Sequence, residues 1–237
     1  MNWTAISDKG LVREKNEDAL LAYPEIGLFA VADGMGGHLA GEIASKLALK
    51  ILAEAVYTHS PVDPLPALMA ATEQANRQVY TLAVEKEEYG GMGTTLTACF
   101  IQAQTLYWAH VGDSRGYLVR EGKISQFTRD HSLVSDYVRE GKITPEEAET
   151  HPYRNVLSRA LGTEPTVLAD TGKVQLQTGD LLLLCTDGLT LHLADTEIME
   201  LVMEGTLVKQ AQKLLNLVLE RGGKDNVTFI LIEINDA

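Results

Sequence analysis

An apolar run at residues 27–32 ends in Asp33 and then in the glycine-rich turn Gly34-Met35-Gly36-Gly37. A continuous apolar run of this length predicts a buried strand. The glycines let the backbone bend sharply, or let a charged group approach it closely. A single Asp-Gly pair here would be interpreted as a helix cap in a strand-to-helix turn. The same arrangement recurs along the chain, so that interpretation would have to account for every copy.

Four further aspartates stand at the ends of predicted strands. Asp113 and Asp187 each follow an apolar run, whereas Asp18 and Asp225 each come at the start of one. In an antiparallel sheet, the ends of some strands and the starts of their neighbours lie at the same edge. We therefore expect all five aspartates on one rim, with Glu17 beside Asp18.

Such a rim predicts a metal site. Carboxylates this close raise each other's pKa values and need a compensating positive charge. Oxygen ligands without nearby cysteine or histidine pairs suit magnesium or manganese rather than zinc. A site with two such ions can ionise a bridging water and hold a phosphoryl group for in-line attack.

The rest of the chain predicts helices outside strands. Apolar residues at every fourth position from Leu39 predict a first helix. A second helix is expected at about residues 67–86. Strands are expected at residues 3–7, 18–23, 94–101, 105–111, 116–120, 123–127, 166–170, 172–177, 180–185 and 227–234, and later helices at 195–204 and 207–221. About residues 130–162 have little apolar content and short helices, including a Thr144–Glu147 capping box, which predicts a mobile subdomain.

Composition narrows the class of protein. At 237 residues, with 45% hydrophobic and 22% charged side chains, the chain predicts a single domain over residues 1–237 with a sizeable core. The net charge of −13 argues against a nucleic-acid partner. We expect no signal peptide, no membrane segment and a cytoplasmic monomer. Cys99 and Cys185 lie in apolar runs, and we expect two free thiols.

Six short motifs then occur in order along nearly the whole chain. They are Arg13 with Asn16-Glu17-Asp18, Val31-Ala32-Asp33-Gly34-Met35-Gly36-Gly37, Gly91-Met92-Gly93-Thr94-Thr95, Val111-Gly112-Asp113-Ser114-Arg115, Thr186-Asp187-Gly188-Leu189 and Asp225-Asn226-Val227-Thr228. Together they resemble the metal-dependent Ser/Thr protein phosphatases of the type 2C (PPM) family, in their minimal bacterial form. The resemblance implies an α+β fold, a four-layer α-β-β-α sandwich of two antiparallel sheets flanked by helices. Residues 130–162 would correspond to the family's flap subdomain.

The resemblance also implies roles for individual residues. Asp33 would bridge two Mg²⁺ or Mn²⁺ ions, with the Gly34 carbonyl on one of them. Asp187 and Asp225 would hold the other ion, and Asp18 and Glu17 would orient metal-bound waters. Asp113, with Asp187, would hold a looser third ion. Arg13 would bind the phosphate of a phosphorylated protein substrate, because its forked donors suit a phosphate.

One position departs from the family pattern. Animal members have a histidine, proposed as the general acid, after the Asp-Gly pair, where this chain has Met35. His38 lies nearby but is not an aligned replacement. The leaving-group proton could then come from a metal-bound water, and the general acid stays unassigned. We expect His110 and His192 to be structural.

Three other functions compete with this interpretation. A dinucleotide fold would need a third glycine where Leu39 stands. A calcium sensor would need an acidic loop with alternating spacing. A catalytically weak member that binds phosphoproteins as a regulator would need a missing ligand, and none is missing.

Overall fold

The structure is a computed structural model that describes residues 1–37, 40–59 and 63–235, with only the backbone at 58 and 59. The strands are β1 (Asn2–Asp8), β2 (Asp18–Tyr23), β3 (Leu28–Met35), β4 (Gly93–Thr94), β5 (Leu96–Gln102), β6 (Thr105–Val111), β7 (Arg115–Arg120), β8 (Lys123–Gln126), β9 (Asp170–Gln175), β10 (Leu181–Cys185) and β11 (Val227–Glu233). The helices are α1 (Ala40–His59), α2 (Pro64–Glu85), α3 (Leu133–Arg139), α4 (Pro145–Glu149), α5 (Asp187–Thr190), α6 (Asp195–Val202) and α7 (Leu207–Glu220), with a 3₁₀ turn at Glu87–Tyr89.

The strands form two antiparallel sheets. Sheet A has the order β1-β11-β10-β7-β8, and sheet B has the order β2-β3-β5-β6-β9, with the short β4 paired to β3. Every named pair of strands is antiparallel. This arrangement confirms the two antiparallel sheets predicted above.

Alternating side chains build three apolar layers. Ile230 and Ile232 of β11 pack between the sheets with Phe29 of sheet B. The alternate residues of the same strand, Phe229 and Leu231, face α6 and α7 instead. A third layer lies between sheet B and the helices α1 and α2. Because period-2 alternation fixes which face each residue occupies, these layers confirm the four-layer sandwich.

One predicted strand was wrong, and one predicted helix begins three residues earlier than expected. The strand expected at residues 166–170 does not form. Of the two short strands expected there, a single one, β9, exists. β9 begins at Asp170, opposite His110; Val111, the last residue of β6, pairs with Leu96 of β5 and has no partner in β9. Helix α2 begins at Pro64 rather than near 67, since proline suits the first helical turn.

The segment at residues 130–162 contains α3 and α4 joined by loops. One isolated antiparallel β-bridge, between Thr94 and Leu161, connects the segment to the sandwich. A second, between Ser132 and Leu157, lies within the segment. The predicted capping box is present: Thr144 accepts from the Glu147 amide, and Glu147 accepts from the Thr144 amide. That the segment is a distinct flap on a single domain stays a prediction.

Two further expectations concern the whole chain. Cys99 and Cys185 are both free and buried, as predicted. Within the parts of the chain that the structure describes, no helix has the length and apolar character needed to cross a membrane.

Candidate active site

The aspartates at the strand ends meet at one end of the sandwich. Asp18 and Asp33 lie directly opposite each other on β2 and β3. Asp187 follows β10, and Asp225 stands just before the neighbouring β11. A cavity of about 300 Å³ opens here, lined by Arg13, Glu17, Asp33, Gly34, Met35, Gly36, Thr95, Asp113, Asn155, Leu157, Asp187, Asp225 and Asn226. Every predicted site residue lines this cavity except Asp18, which is buried beside it, opposite Asp33.

Two glycines allow the strand ends to approach so closely. A Cβ atom at Gly34 would collide with the carbonyl of Gly41 in α1, so only glycine fits between β3 and that helix. A Cβ atom at Gly188 would collide with the carbonyl of Asn226. The second contact places Asp187 beside Asp225, because the residues that follow each of them are packed backbone to backbone.

Burial and mutual repulsion dominate the electrostatics of the carboxyl groups. Burial raises the pKa of Asp18 to about 7, although hydrogen bonds from Thr186 and Thr228 oppose the shift. Burial also raises the pKa of Asp33 well above its usual range, and the charges of Asp18 and Asp187 add to the effect. The pKa of Asp113 rises to about 8, through burial and then the charge of Asp187.

Some of this repulsion is relieved by contacts within the site. The hydrogen bond between Asp33 and Asp187 raises the pKa of Asp33 and opposes the rise in the pKa of Asp187. Arg13 donates to Asp225, with Nη2 and Oδ2 2.6 Å apart. The Arg13 side chain is still 53% exposed, so its guanidinium stands at the open rim of the cavity.

The residues present fit a divalent metal ion. Oδ1 of Asp18 and Oδ1 of Asp187 are buried and have no hydrogen-bond partner among the described residues. Leaving such an acceptor unpaired costs about 1–3 kcal/mol, and more when it is charged. A hard cation held by oxygen ligands would satisfy both atoms and neutralise the repulsion.

The side chains nevertheless contact each other rather than a common point. Among the described residues, no group of three or more Asp, Glu, His or Cys side chains is already arranged to hold an ion. The carboxyl groups of Asp33 and Asp187 contact each other, and Arg13 pairs with Oδ2 of Asp225. Ion binding therefore has to replace these two contacts, through rotations of the side chains.

Sequence reasoning assigned no individual role to several residues that build the site. Thr95 holds Asp33 in place, because its hydroxyl accepts from the Asp33 amide at 2.9 Å and its own amide donates to the Asp33 carbonyl at 2.9 Å. Asn226 fastens the loop that carries Arg13, since its side chain donates to the carbonyls of Lys9 and Lys15 at 2.9 and 2.8 Å. Both lie in motifs quoted above, which was the available signal.

The segment at residues 130–162 also contributes side chains to the site, and no feature of the sequence predicted which ones. Asn155 and Leu157 line the cavity. Met35 also lines the cavity, at the position where animal members of the family have a histidine. His38 lies outside the described residues.

A buried histidine pair connects this segment to the turn before Asp113. His131 accepts from the amide of Gly112 through Nδ1 at 3.1 Å, and its ring packs on that of His110, with centroids 4.9 Å apart. His110 in turn donates from Nε2 to the carbonyl of Arg129 at 2.9 Å. Every polar atom of the two rings is engaged in the fold, which supports the structural role expected of His110.

The neutral state of His110 predicts acid sensitivity of the fold. Burial, followed by the neighbouring His131, lowers the pKa of His110 from 6.5 to about 4. Below pH 6.5 the unfolded chain therefore gains a proton that the folded chain does not, and stability falls until pH 4, by up to about 3 kcal/mol. We expect His110→Gln to remove this part of the pH dependence in urea unfolding between pH 7 and 4.5.

The less deeply buried His192 provides the control. His192→Gln should leave the steepness of the pH dependence nearly as in the wild type, because burial lowers the pKa of His192 less than that of His110. If the difference in unfolding free energy between wild type and His110→Gln were the same at every pH, the neutral buried imidazole would not be the cause.

Two antiparallel sheets between helices, with carboxylates gathered at one end, define the class of metal-dependent protein phosphatases. Residues 2–136 match the family description "Protein phosphatase 2C", and residues 137–235 match "Stage II sporulation protein E (SpoIIE)". The chain belongs to the protein phosphatase 2C family.

Named relatives agree with this assignment. The serine/threonine protein phosphatase PstP of Mycobacterium tuberculosis is 41% identical over all of this chain, which spans 45% of that relative's length. The serine/threonine phosphatase stp of Listeria monocytogenes is 38% identical, over 96% of this chain and 93% of the relative. A crystal structure of the Mycobacterium tuberculosis enzyme superposes with a TM-score of 0.93 at 40% identity, covering 99% of both chains.

A further solved structure bears on the metal. The catalytic domain of PstP in complex with two manganese ions has a TM-score of 0.90 and 39% identity, over 99% of this chain and 98% of that one. A divalent metal cofactor, as predicted, is therefore supported by a similar protein.

Proposed function

We propose that the chain is a protein serine/threonine phosphatase that hydrolyses phosphoserine and phosphothreonine in phosphorylated proteins with the help of divalent ions. The observation that carries this proposal is the convergence of five aspartates and Arg13 at one cavity, in a chain of this family. No feature of the site favours the alternative of a catalytically weak regulator, since every predicted acidic residue is present.

Each acidic residue has a proposed place in the metal site. Asp33 would bridge two ions, with the Gly34 carbonyl on one of them, and Asp187 and Asp225 would hold the other. Asp18 and Glu17 orient water around the ions, which is consistent with the burial of Asp18 and its hydrogen bond from Thr186 at 2.8 Å. Bound Mg²⁺ or Mn²⁺ would supply a nucleophile at neutral pH and neutralise charge on the phosphoryl group.

The other residues act on the substrate or on the shape of the site. Arg13 meets the substrate phosphate at the rim, where its exposed guanidinium can leave Asp225 and bind two phosphate oxygens. Asp113 and Asp187 would hold a third ion. Met35 cannot donate a proton, so the general acid stays unassigned, and a metal-bound water could supply the leaving-group proton.

We also propose the wider setting of this activity. One catalytic domain spans residues 1–237, and residues 130–162 form a flap over the site, which is supported by Asn155 and Leu157 in the cavity wall. Free buried thiols at Cys99 and Cys185 are consistent with a reducing cytoplasm, where a phosphatase takes part in signalling. We propose a monomer, to be tested by analytical ultracentrifugation.

Phosphate release from a phosphothreonine peptide tests the proposed function. We expect turnover with Mn²⁺ or Mg²⁺, none in excess chelator, and full recovery when the metal is restored, because the carboxyl cluster needs a cation in order to act. Circular dichroism in chelator should show that the chain remains folded. Undiminished turnover in excess chelator would contradict the proposal.

A second prediction concerns Arg13. We expect Arg13→Ala to raise KM for the phosphopeptide about tenfold and to lower kcat less, because a charge-assisted contact made in both ground and transition states affects mainly binding. Arg13→Lys should recover only part of the loss, since a lysine cannot bind two oxygens at once. An unchanged KM in both variants would show that Arg13 only pairs with Asp225.

A further inference from the structure

His192 lies just after helix α5, and its ring contacts the loop that carries Asp225. Helix α5 begins at Asp187, and the amide of Leu191 donates to the Asp187 carbonyl at 2.7 Å. Directly after this helical turn, Nε2 of His192 accepts from the backbone amide of Lys224 at 3.0 Å. Because Lys224 immediately precedes Asp225, one side chain connects the two segments whose aspartates are proposed to hold the same ion.

The residues just before Lys224 are held by their own helix. The amides of Gly222 and Gly223 donate to carbonyls near the end of α7, at 2.9 and 3.0 Å. Both glycines have positive φ angles, of 108° and 44°, so the chain turns away from α7 at this point. The next amide along the chain, that of Lys224, is held by His192 instead. The path from α7 to Asp225 therefore depends on this contact.

The backbone of Asp225 is thus held from both sides. After Asp225, the carbonyl of Asn226 packs so closely on Gly188 that a Cβ atom at Gly188 would collide with it. Before Asp225, the contact with His192 holds residue 224. The side chains of Asp187 and Asp225 have to rotate when an ion replaces their present contacts, so only their backbone positions are set in advance.

The backbone of His192 is itself braced. Arg221, at the end of α7, donates from Nη1 to the His192 carbonyl at 2.6 Å. The same guanidinium is bound by both oxygens of Glu197, at 2.9 and 2.5 Å. Glu197 also accepts from the amide of Ala194 at 3.0 Å. A side chain supported by such contacts presents its acceptor atom in one defined place.

The hydrogen bond to the Lys224 amide also requires a neutral ring. An imidazole nitrogen accepts only when it carries no proton, so the proton of His192 must lie on Nδ1. Burial, and then the charges of Lys224 and Arg221, lower the pKa of His192, whereas the charge of Asp225 opposes this shift. The surroundings of the ring therefore favour the form that can accept.

We propose that His192 is a positioning residue for metal binding, which fixes the backbone of Asp225 relative to that of Asp187 through the Lys224 amide. This role rests on the proposed function, in which both aspartates hold one ion. Loss of a group that orients metal ligands usually lowers metal affinity about 10- to 100-fold. A histidine with a purely structural role would change the stability of the chain and leave the affinity for the metal unaltered.

Calorimetric titration of the full chain with Mn²⁺, without substrate, tests the proposal. His192→Phe keeps a planar ring but has no acceptor, and we expect it to weaken Mn²⁺ binding about tenfold. His192→Gln keeps an acceptor that can reach the Lys224 amide, and it should bind Mn²⁺ nearly as tightly as the wild type. In chelator, NMR should show faster hydrogen exchange of the Lys224 amide in His192→Phe and near wild-type exchange in His192→Gln.

Thr206→Val is the matched control. Thr206 lies at the opposite end of α7, where its hydroxyl accepts from the amide of Lys209 at 3.5 Å. The variant loses a hydrogen bond of the same kind, so it should lower the melting temperature without changing the affinity for Mn²⁺. His192→Leu repeats the main comparison without an aromatic ring, should the phenylalanine ring not fit.

Three results would overturn the proposal. The first is unchanged Mn²⁺ affinity in His192→Phe and His192→Leu. The second is an equal loss of affinity in His192→Gln, because the acceptor would then not matter. The third is an equal loss in Thr206→Val, because lower stability would then be the cause. A wild-type chain that binds Mn²⁺ but releases no phosphate from a phosphopeptide would contradict the proposed phosphatase activity and leave this comparison valid.

Discussion

Asp33→Asn is expected to lower phosphopeptide turnover by about three orders of magnitude, which corresponds to roughly 4 kcal/mol of transition-state stabilisation. Asparagine has the same shape but is a neutral, weaker ligand for a hard cation. The backbone contacts that position residue 33 come from Thr95 and do not use the carboxyl group. Geometry is therefore kept while the charge proposed to bridge the ions is lost.

Stability measurements separate this loss from unfolding. The raised pKa of Asp33 means that its carboxyl is already favoured in the neutral form beside Asp18 and Asp187. In chelator, Asp33→Asn should therefore melt at the wild-type temperature or slightly above it. Added Mn²⁺ should raise the wild-type melting temperature, because it binds only the folded chain, and should raise that of the variant much less.

Asp63→Asn is the matched control. Asp63 precedes α2 and makes no side-chain capping hydrogen bond, so the variant should keep both turnover and the response to Mn²⁺. An active Asp33→Asn enzyme, or one stabilised by Mn²⁺ as strongly as wild type, would contradict the role of Asp33 as bridging ligand.

The convergence of the aspartates was predictable from the local strand pattern, whereas the four-layer sandwich was expected from the resemblance to the family. The run ending at Asp33 had to pair with a neighbour, and the short turn after Tyr23 made the β2–β3 hairpin the simplest choice, which placed Asp18 opposite Asp33. The alternation of side chains along β11 likewise predicts that Phe229 and Ile230 lie on opposite faces of the sheet, as they do.

Features that depend on partners distant in sequence could not be predicted. The start of β9 depends on where its pairing with β6 begins, at Asp170 opposite His110, and nothing in the sequence near Asp170 records that register. Arg115 stands two residues after Asp113 in the sequence, yet its guanidinium binds both oxygens of Asp130, at 2.7–3.0 Å. The hydrogen bond between His192 and the Lys224 amide joins residues far apart in the sequence, and no local pattern predicts it.

Asp113→Ala is expected to lower turnover about a hundredfold, which corresponds to roughly 3 kcal/mol, while the fold and the two inner ions are kept. Asp113 lines the cavity, and its pKa is raised by burial and by the charge of Asp187. A residue whose only role was to cap a turn or to pair with Arg115 would contribute about 1 kcal/mol of stability and no turnover. The engagement of Arg115 by Asp130 removes the second of these explanations.

Calorimetric titration with Mn²⁺ decides between the two remaining explanations, a third-ion ligand and a turn cap. If Asp113 helps to hold a third ion, the variant should lose the weakest binding step, keep the tighter ones, and need more metal for its residual activity. Asp113→Asn should behave in the same way, because it keeps the size of the side chain but not its charge, whereas a turn cap would survive this change. Equal stoichiometry and equal turnover in both variants would make Asp113 a turn residue. Loss of every binding step would make it a ligand of the inner ions instead, since only a residue shared by those sites could abolish them together.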